Sequence, residues 1–428
     1  MPLLDEDQKF DVVIDGTGLV ESLVSAALSV SKKQILHLDI NDYYGAYDGS
    51  LNLSQLSNRQ ESAQSPFFID DAILPSDRKF LIDTHLRLLL ADDVAVETLI
   101  KAGLSDHVSF LPVKAVKWFH NGTFESVPLS KAAIFQSASL SLFEKRSLMK
   151  FLTSQFSGQS LALQSAATVG HDRYHDSPNE THTPNVATHP NLWIDALKLS
   201  GLSDKLVKIV NHSLCLFESS KAAAAASFSV GQAKLGNYVK SIGKFHENSA
   251  LLYPIYGSAE IPQAFCRKSA VHGGTFALKC GVRNSDDVIT TTTDDKVTAA
   301  HLIKAEPGEG SISRMVVVIE ADESACELLV MEIEGSVIFI FRIGQESACV
   351  PQGFEILHFS TIGDSAVLRK SAEIVIAGRK EFLHAEFTIP QSNLSPEILS
   401  HHFLFSAADV AKAKNIFENC APGESWPF

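Results

Sequence analysis

The stretch from Phe10 to Asp39 constrains the fold more than any other part of the chain. Phe10-Asp11-Val12-Val13-Ile14 is a short apolar run of the kind a buried parallel strand carries. Gly16-Thr17-Gly18 interrupts it, and from Leu19 to Val30 the apolar residues Leu19, Leu23, Ala26, Ala27 and Val30 share one helical face. Gln34 to Asp39 then predicts a second strand with an acid at its end. Strand, glycine turn, helix and strand ending in Asp form the opening of a dinucleotide-binding βαβ unit. The expected fold class is α/β, with an FAD/dinucleotide-binding-like sheet domain.

The turn itself departs from what a cofactor needs. A working turn takes three small residues: one to bend, one to let the backbone approach the diphosphate, and one to let helix and strand pack closely. Gly16 and Gly18 fill the first two places, but Glu21 fills the third and Asp15 precedes the turn. A phosphate rests at a helix N-terminus because unpaired N–H groups and the helix dipole favour negative charge there. Carboxylates beside that spot repel it, by up to a few kcal/mol where solvation is poor (about 4 at 4 Å for an effective dielectric of 20). Asp39 could still meet a ribose, though a ribose contact without the diphosphate is worth little. These residues predict a dinucleotide fold with no cofactor; the opposing reading is an FAD-dependent oxidoreductase.

Further along, Pro75 to Gly103 predicts a helix with an apolar stripe through Leu86, Leu89, Leu90 and Leu99. Lys114 to Val127 predicts a hairpin turning at Asn121-Gly122. Helical spacing returns over 139–152 and 191–218, with an alanine run at Ala222 to Ala226. The segment between, His171 to Pro190, has the composition of an exposed loop. Strands follow at Arg314 to Glu320, Val337 to Arg342 and Ile356 to Ser360. The order predicts a discontinuous sheet domain, residues 1–129 and 227–428, with an all-helical insert at 130–226.

Composition narrows the function. Among 428 residues, 36 Lys and Arg stand against 50 Asp and Glu, a net charge of −14, which opposes a phosphate-tracking nucleic-acid binder. No run of about 18 apolar residues exists to span a bilayer. The acidic N-terminus lacks the apolar core of a secretory signal. The six cysteines are widely spaced with no CxxC pair, which predicts reduced thiols in a cytosolic protein. His171, His175, His182 and His189 have no nearby cysteine and read as a solvated loop, so no metal site is expected.

Several stretches carry a family resemblance. Asp11 to Leu19, Leu36-His37-Leu38-Asp39 and Asn41-Asp42-Tyr43-Tyr44-Gly45 resemble the opening of the Rab GDP-dissociation inhibitor (GDI) and Rab escort protein superfamily. Leu252-Tyr253-Pro254-Ile255-Tyr256-Gly257-Ser258-Ala259-Glu260-Ile261-Pro262-Gln263-Ala264-Phe265-Cys266-Arg267, closing with Gly273-Gly274, is similar to that superfamily's most specific signature. Within it, Val127-Pro128-Leu129-Ser130 to Phe135, Glu144 to Phe151, Ser313 to Val318 and the tail Ala411 to Phe428 resemble the escort branch, while the chain's length is nearer that of a GDP-dissociation inhibitor.

The resemblance implies a GDI-like scaffold that is not an enzyme and carries no cofactor. It would bind a GDP-bound, unprenylated Rab GTPase, present it to the catalytic heterodimer of Rab geranylgeranyltransferase, and deliver the geranylgeranyl-bearing product to membranes from the cytosol. The alternative within the superfamily is a GDP-dissociation inhibitor. Carried over by position, the Rab platform falls on Tyr44, Glu260, Arg267 and Ala277. Glu260 and Arg267 flank Ile261-Pro262-Gln263, expected as a turn; the competing role for the two is an ion pair with each other or with a sheet edge. Ala277 replaces a larger apolar residue found in many relatives. Ala46 replaces a glycine, and a turn needing positive φ would resist it. Lys244 stands where relatives carry a loop arginine that touches the GTPase. The insert is expected to house the prenyl chain and to face the transferase.

Overall fold

The computed structural model describes residues 9–60, 65–156, 191–285, 288–304, 310–321, 325–390 and 401–428. Strand β1 (Lys9–Asp15), helix α1 (Leu19–Val30) and strand β2 (Ile35–Asp39) stand where the sequence places them. β1 and β2 pair in parallel, with Val12 opposite Ile35 and Ile14 opposite His37. They lie inside a six-stranded sheet ordered Thr275–Leu278, β2, β1, Lys296–Lys304, Ile289–Thr291, Val282–Ser285. Val12, Val13 and Ile14 are all fully buried, because a parallel strand covered on both faces leaves no side to water.

α1 is buried from Leu19 to Ser29. Its small residues allow this. Ser22 Oγ lies 3.2 Å from Cys266 Sγ, and the Ser25 and Ser29 hydroxyls lie 2.9 and 2.7 Å from Ser269 Oγ. The helix Glu260–Val271 therefore packs directly on α1, with the hydroxyls of the contact partnered rather than stranded. The helix Ala407–Cys420 also packs on α1.

The later strands do not extend the first sheet. They build a second one of eight strands, ordered Phe67–Ile69, Glu381–Pro390, Ser311–Glu320, Phe354–Ile362, Ser336–Ile343, Cys326–Ile333, Ala115–His120, Thr123–Ser126. Alternate residues of Ser311–Glu320 feed two cores: Ile312, Val316 and Val318 face one, and Met315, Val317 and Ile319 the other. The Asn121-Gly122 hairpin forms as expected, with φ of +48° and +83° at the two turn residues, the pattern of a type I′ turn.

The single helix expected over Pro75 to Gly103 is absent. In its place are a 3₁₀ segment (Leu74–Lys79), the short strands Ile82–Asp83 and Leu89–Leu90, and a helix only at Val94–Lys101, where the Asp93 carboxylate caps Ala95 N–H. The leucines explain why. Leu88 and Leu90 enter the core beneath the eight-stranded sheet, whereas Leu89 enters the core around α1. This is period-two alternation between two cores, which a leucine-rich run disguises as a helical stripe.

Between the sheets' segments come the helices Lys131–Gln136, Leu142–Phe156, Trp193–Leu199, Asp204–Ile209, Ser220–Ala225 and Phe228–Ser241. The helical run thus continues past Ala226. Serines start four of these helices: the Ser130, Ser203, Ser219 and Ser227 hydroxyls each accept a first-turn N–H. No helix among the described residues is long and apolar enough to cross a membrane. The four histidines from His171 to His189 lie outside the described residues.

Candidate functional site

Two adjoining regions hold the residues singled out in the sequence: the glycine turn, and a cleft on the Glu260–Val271 helix. At the turn, Gly16 has a φ of +104° and His37 Nε2 lies 2.7 Å from its carbonyl oxygen. Burial holds the His37 ring down to about 4, so the imidazole is neutral and Nε2–H donates. Thr17 donates to Asp39 Oδ2 from both N–H (2.7 Å) and Oγ1 (2.5 Å), while Asn41 donates to Asp39 Oδ1. The acid that would meet a ribose is thereby consumed inside the fold.

The helix N-terminus is consumed as well. Leu19 N–H donates to Asp48 Oδ2 at 3.0 Å. The other oxygen, Asp48 Oδ1, receives Arg87 Nε at 2.7 Å and faces His85 Nδ1 at 3.0 Å. Against the burial that would raise it, Arg87 and His85 hold the Asp48 carboxyl far below the carboxylate range. The chain's own carboxylate thus fills the anion position at the start of α1. Glu21 completes the block. It is 8% exposed, and its Oε2 would lie 2.6 Å from a Cβ placed on Gly18, over the face a diphosphate would approach. Burial raises its carboxyl, opposed by its own backbone N–H.

A cleft of about 690 Å³ remains beside the turn, with Asp15, Glu21, Asp39, Asp42 and Asp48 outnumbering Arg59 and Lys304 on its walls. These residues do not fit a dinucleotide: the N–H groups of Thr17 and Leu19 are taken by carboxylates, and the walls repel a diphosphate. Sequence reasoning found Glu21 and Asp15 but missed Asp48. Its partners Arg87 and His85 sit far along the chain, so no local pattern announces it.

The second region is a cleft of about 290 Å³ whose walls include Tyr44, His107, Glu260, Gln263, Arg267 and Phe276. The segment that leads into the helix Glu260–Val271 is anchored by Asp83. That buried carboxylate accepts Ser50 Oγ (2.5 Å), Tyr253 OH (2.8 Å), and both the N–H (2.9 Å) and Oγ (2.8 Å) of Ser258. The chain reverses through Tyr256 and Gly257, with φ of +73° and +100°, and a Cβ on Gly257 would collide with Ser50 and Asp83. This is why the signature segment carries glycine there.

Ile261-Pro262-Gln263, expected as a turn, is instead the first turn of the helix Glu260–Val271. Proline is harmless at that depth, where its missing N–H has no intrahelical acceptor. Glu260 and Arg267 are therefore two helical turns apart on one face, with Gln263 between them. Neither forms an ion pair among the described residues: burial alone raises the Glu260 carboxyl, with no charged partner contributing. Arg267 is exposed. Tyr44 stands edge-on to Phe276, their ring centres 6.2 Å apart.

Two expected members lie elsewhere. Ala277 packs against the core formed by Val13, Leu36 and Leu38. Strand alternation puts Phe276, not Ala277, in the cleft. Lys244 is ion-paired with Asp92 and is not among the residues around the cleft. Gly45 and Ala46 precede the cofactor-side residues with φ of +103° and +47°, so the alanine does adopt the left-handed conformation.

Fold and site together define a class: a dinucleotide-type scaffold whose anion position is filled from within, bearing a polar and aromatic cleft on the neighbouring helix. The family model for GDP dissociation inhibitors matches residues 6–319, and the chain belongs to that family. It is 28% identical over 339 residues to a Rab proteins geranylgeranyltransferase component A of Drosophila melanogaster, covering 72% of this chain and 61% of that protein. It is 30% identical over 273 residues to a guanosine nucleotide diphosphate dissociation inhibitor of Arabidopsis thaliana, covering 64% and 56%. The matched region thus spans less than two thirds of these relatives' own length. Among solved structures, a Rab GDI from Plasmodium falciparum superposes with a TM-score of 0.72 at 20% identity, covering 98% of this chain and 99% of that one. An oxidoreductase from Methanosarcina mazei gives 0.56 at 11% identity, covering 93% and 94%. The α/β dinucleotide-binding fold is thus common to the family and to oxidoreductases.

Proposed function

We propose that this chain is a non-catalytic escort for a Rab-type GTPase. It holds the GDP-bound, unprenylated GTPase on the cleft of Tyr44, Glu260 and Arg267, presents it to the catalytic geranylgeranyltransferase heterodimer, and passes the lipidated product to a membrane from the cytosol. The observation that carries this reading is the cleft itself. Three residues from two distant segments converge there, half-buried or exposed, and the charged pair forms no ion pair among the described residues. Such groups are available for charge-assisted hydrogen bonds to a partner, framed by aromatic rings. The blocked turn is consistent with a scaffold that binds protein instead of a redox cofactor. The helical segment from residue 130 onward is the natural host for the prenyl chain, where burying a twenty-carbon lipid contributes several kcal/mol at about 0.8 per methylene.

The test is reconstitution. Adding the protein to a Rab and the purified transferase should switch on lipidation; rates unchanged by its presence would refute the escort role. The similarity to dissociation inhibitors at 28–30% identity keeps a second reading in view. A dissociation inhibitor would prefer prenylated Rab and extract it from membranes, whereas an escort binds the bare form strongly. Stoichiometric flavin absorbance in the purified protein would overturn both.

A further inference from the structure

A second polar centre lies far from the cleft, where three chain segments meet. Glu218 follows the π-helical turn Val210–Leu214, His401 and His402 lead into the buried run Phe403-Leu404-Phe405, and Ser360 comes from the strand Phe354–Ile362. His401 and His402 are 3% and 7% exposed, and the Glu218 side chain keeps 21% of its surface, leaving a path from solvent. One oxygen is the focus. Glu218 Oε1 lies 2.9 Å from His402 Nδ1 and 3.8 Å from His401 Nδ1, and one potential ligand atom from each residue falls within 4.8 Å of the others.

Hydrogen bonding accounts for only part of this. His402 is satisfied: its backbone N–H donates to Glu218 Oε1 at 2.7 Å, its ring Nδ1 meets the same oxygen at 2.9 Å, and its Nε2 meets Ser360 Oγ at 3.0 Å. His401 is held less tightly: its Nδ1 accepts a long 3.3 Å contact from Phe403 N–H, so that nitrogen carries a lone pair, while the ring leans on the Leu216 carbonyl. A lone pair therefore faces a carboxylate oxygen at 3.8 Å with no proton between them. A bound cation resolves that opposition. Tetrahedral zinc with ligands at about 2.0–2.2 Å separates its ligand atoms by about 3.4 Å, midway between the two observed spacings. The Ser360 contact is the outer bond that orients a ligating imidazole.

Lys234, whose charge is drawn to Glu218, is the competitor that a metal must outweigh.

We propose that Glu218, His401 and His402 form a zinc-type metal site that staples the helical segment to the C-terminal segment over the eight-stranded sheet. The inference is independent of the GTPase-binding reading. The experiment uses the full-length protein stripped with a chelator, then titrated with Zn²⁺ or, for its visible spectrum, Co²⁺. One equivalent should bind, raising Tm by about 3 °C at saturating metal, while Mg²⁺ should do neither. His401→Gln gives up the long Phe403 N–H contact and the ring contacts with Phe339 and Phe403; with native folding checked by circular dichroism, it should weaken Zn²⁺ binding at least tenfold and abolish the Tm gain. Glu218→Gln should act likewise, and Lys234→Met should tighten binding. No saturable binding by the wild type, or undiminished binding by His401→Gln, which would point to the histidines at 171–189, overturns the proposal.

Discussion

Replacing Asp48 tests the claim that an internal carboxylate has taken over the anion position of α1. The carboxylate is 5% exposed and accepts from Leu19 N–H and Arg87 Nε while facing His85. In Asp48→Asn the shape is kept but the charge is lost. Arg87, 8% exposed, would keep a neutral acceptor there and the Leu404 carbonyl at 3.1 Å, and its nearest ion-pair partner would become Asp409 at 3.9 Å. Removing one member of a buried ion pair costs about 3–5 kcal/mol, because the remaining charge is stranded. The helix-terminus contribution of up to about 2 kcal/mol is lost from the same site, overlapping that figure. A loss near 4 kcal/mol is a large share of a typical total of about 5–15. Urea denaturation of Asp48→Asn, Arg87→Met and the double variant measures it. The double should be much less destabilised than the sum of the singles, since it removes both charges together. A loss under about 0.5 kcal/mol for Asp48→Asn, or strict additivity, would show that Asp48 is a bystander.

Three further outcomes follow from the same geometry. Arg267→Ala and Phe276→Ala should each weaken GTPase binding about tenfold or more with Tm unchanged for the arginine; calorimetric titration checks this, and normal binding by a folded Arg267→Ala removes that residue from the cleft. Ala46→Gly should stabilise the protein by about 1 kcal/mol, because the left-handed φ of +47° costs an L-residue about 1–2 kcal/mol and the glycine's extra unfolded entropy returns part of it. An unchanged melting temperature would contradict that strain. His37 has its ring held down to about 4 from 6.5, so the unfolded chain binds a proton first as pH falls. Its contribution is intact above pH 6.5 and lost on the way to pH 4, about 3 kcal/mol in all at 1.36 per unit. The slope of stability against pH in this window should flatten in His37→Gln; identical slopes would mean the ring titrates normally.

What could be read from the sequence was set by the range of the interactions. β1, α1 and β2 were legible because each is specified within itself, by a buried apolar run, a helical face and a glycine at a φ of +104°. The Asn121-Gly122 hairpin was legible for the same reason. The platform was legible only as far as position along a helix carries it. Once Glu260 begins a helix, Arg267 must share its face, whereas Ala277 lies outside the cleft because the next element is a strand and alternation puts Phe276 there. Leu86 to Leu90 resisted because the run serves two cores at once, and only the presence of the second sheet tells a helical stripe from an alternating one.

Asp48 was the least legible of all, and the reason bears on how such a scaffold changes its use. A cofactor site can be silenced by putting repulsion where the ligand rests, which Glu21 displays in the sequence. That alone would leave the first N–H groups of a buried helix without acceptors, at about 1–3 kcal/mol for each unmet group. Silencing therefore needs a second, compensating change that supplies an internal anion, and a further one that neutralises it. Asp48 supplies the charge to Leu19 N–H, and Arg87 balances it from a segment whose backbone is itself held by Ser258, two residues before Glu260. The blocked turn and the cleft of Tyr44, Glu260 and Arg267 are thus joined through one buried network, so that filling the anion position and placing the helix Glu260–Val271 depend on the same few hydrogen bonds.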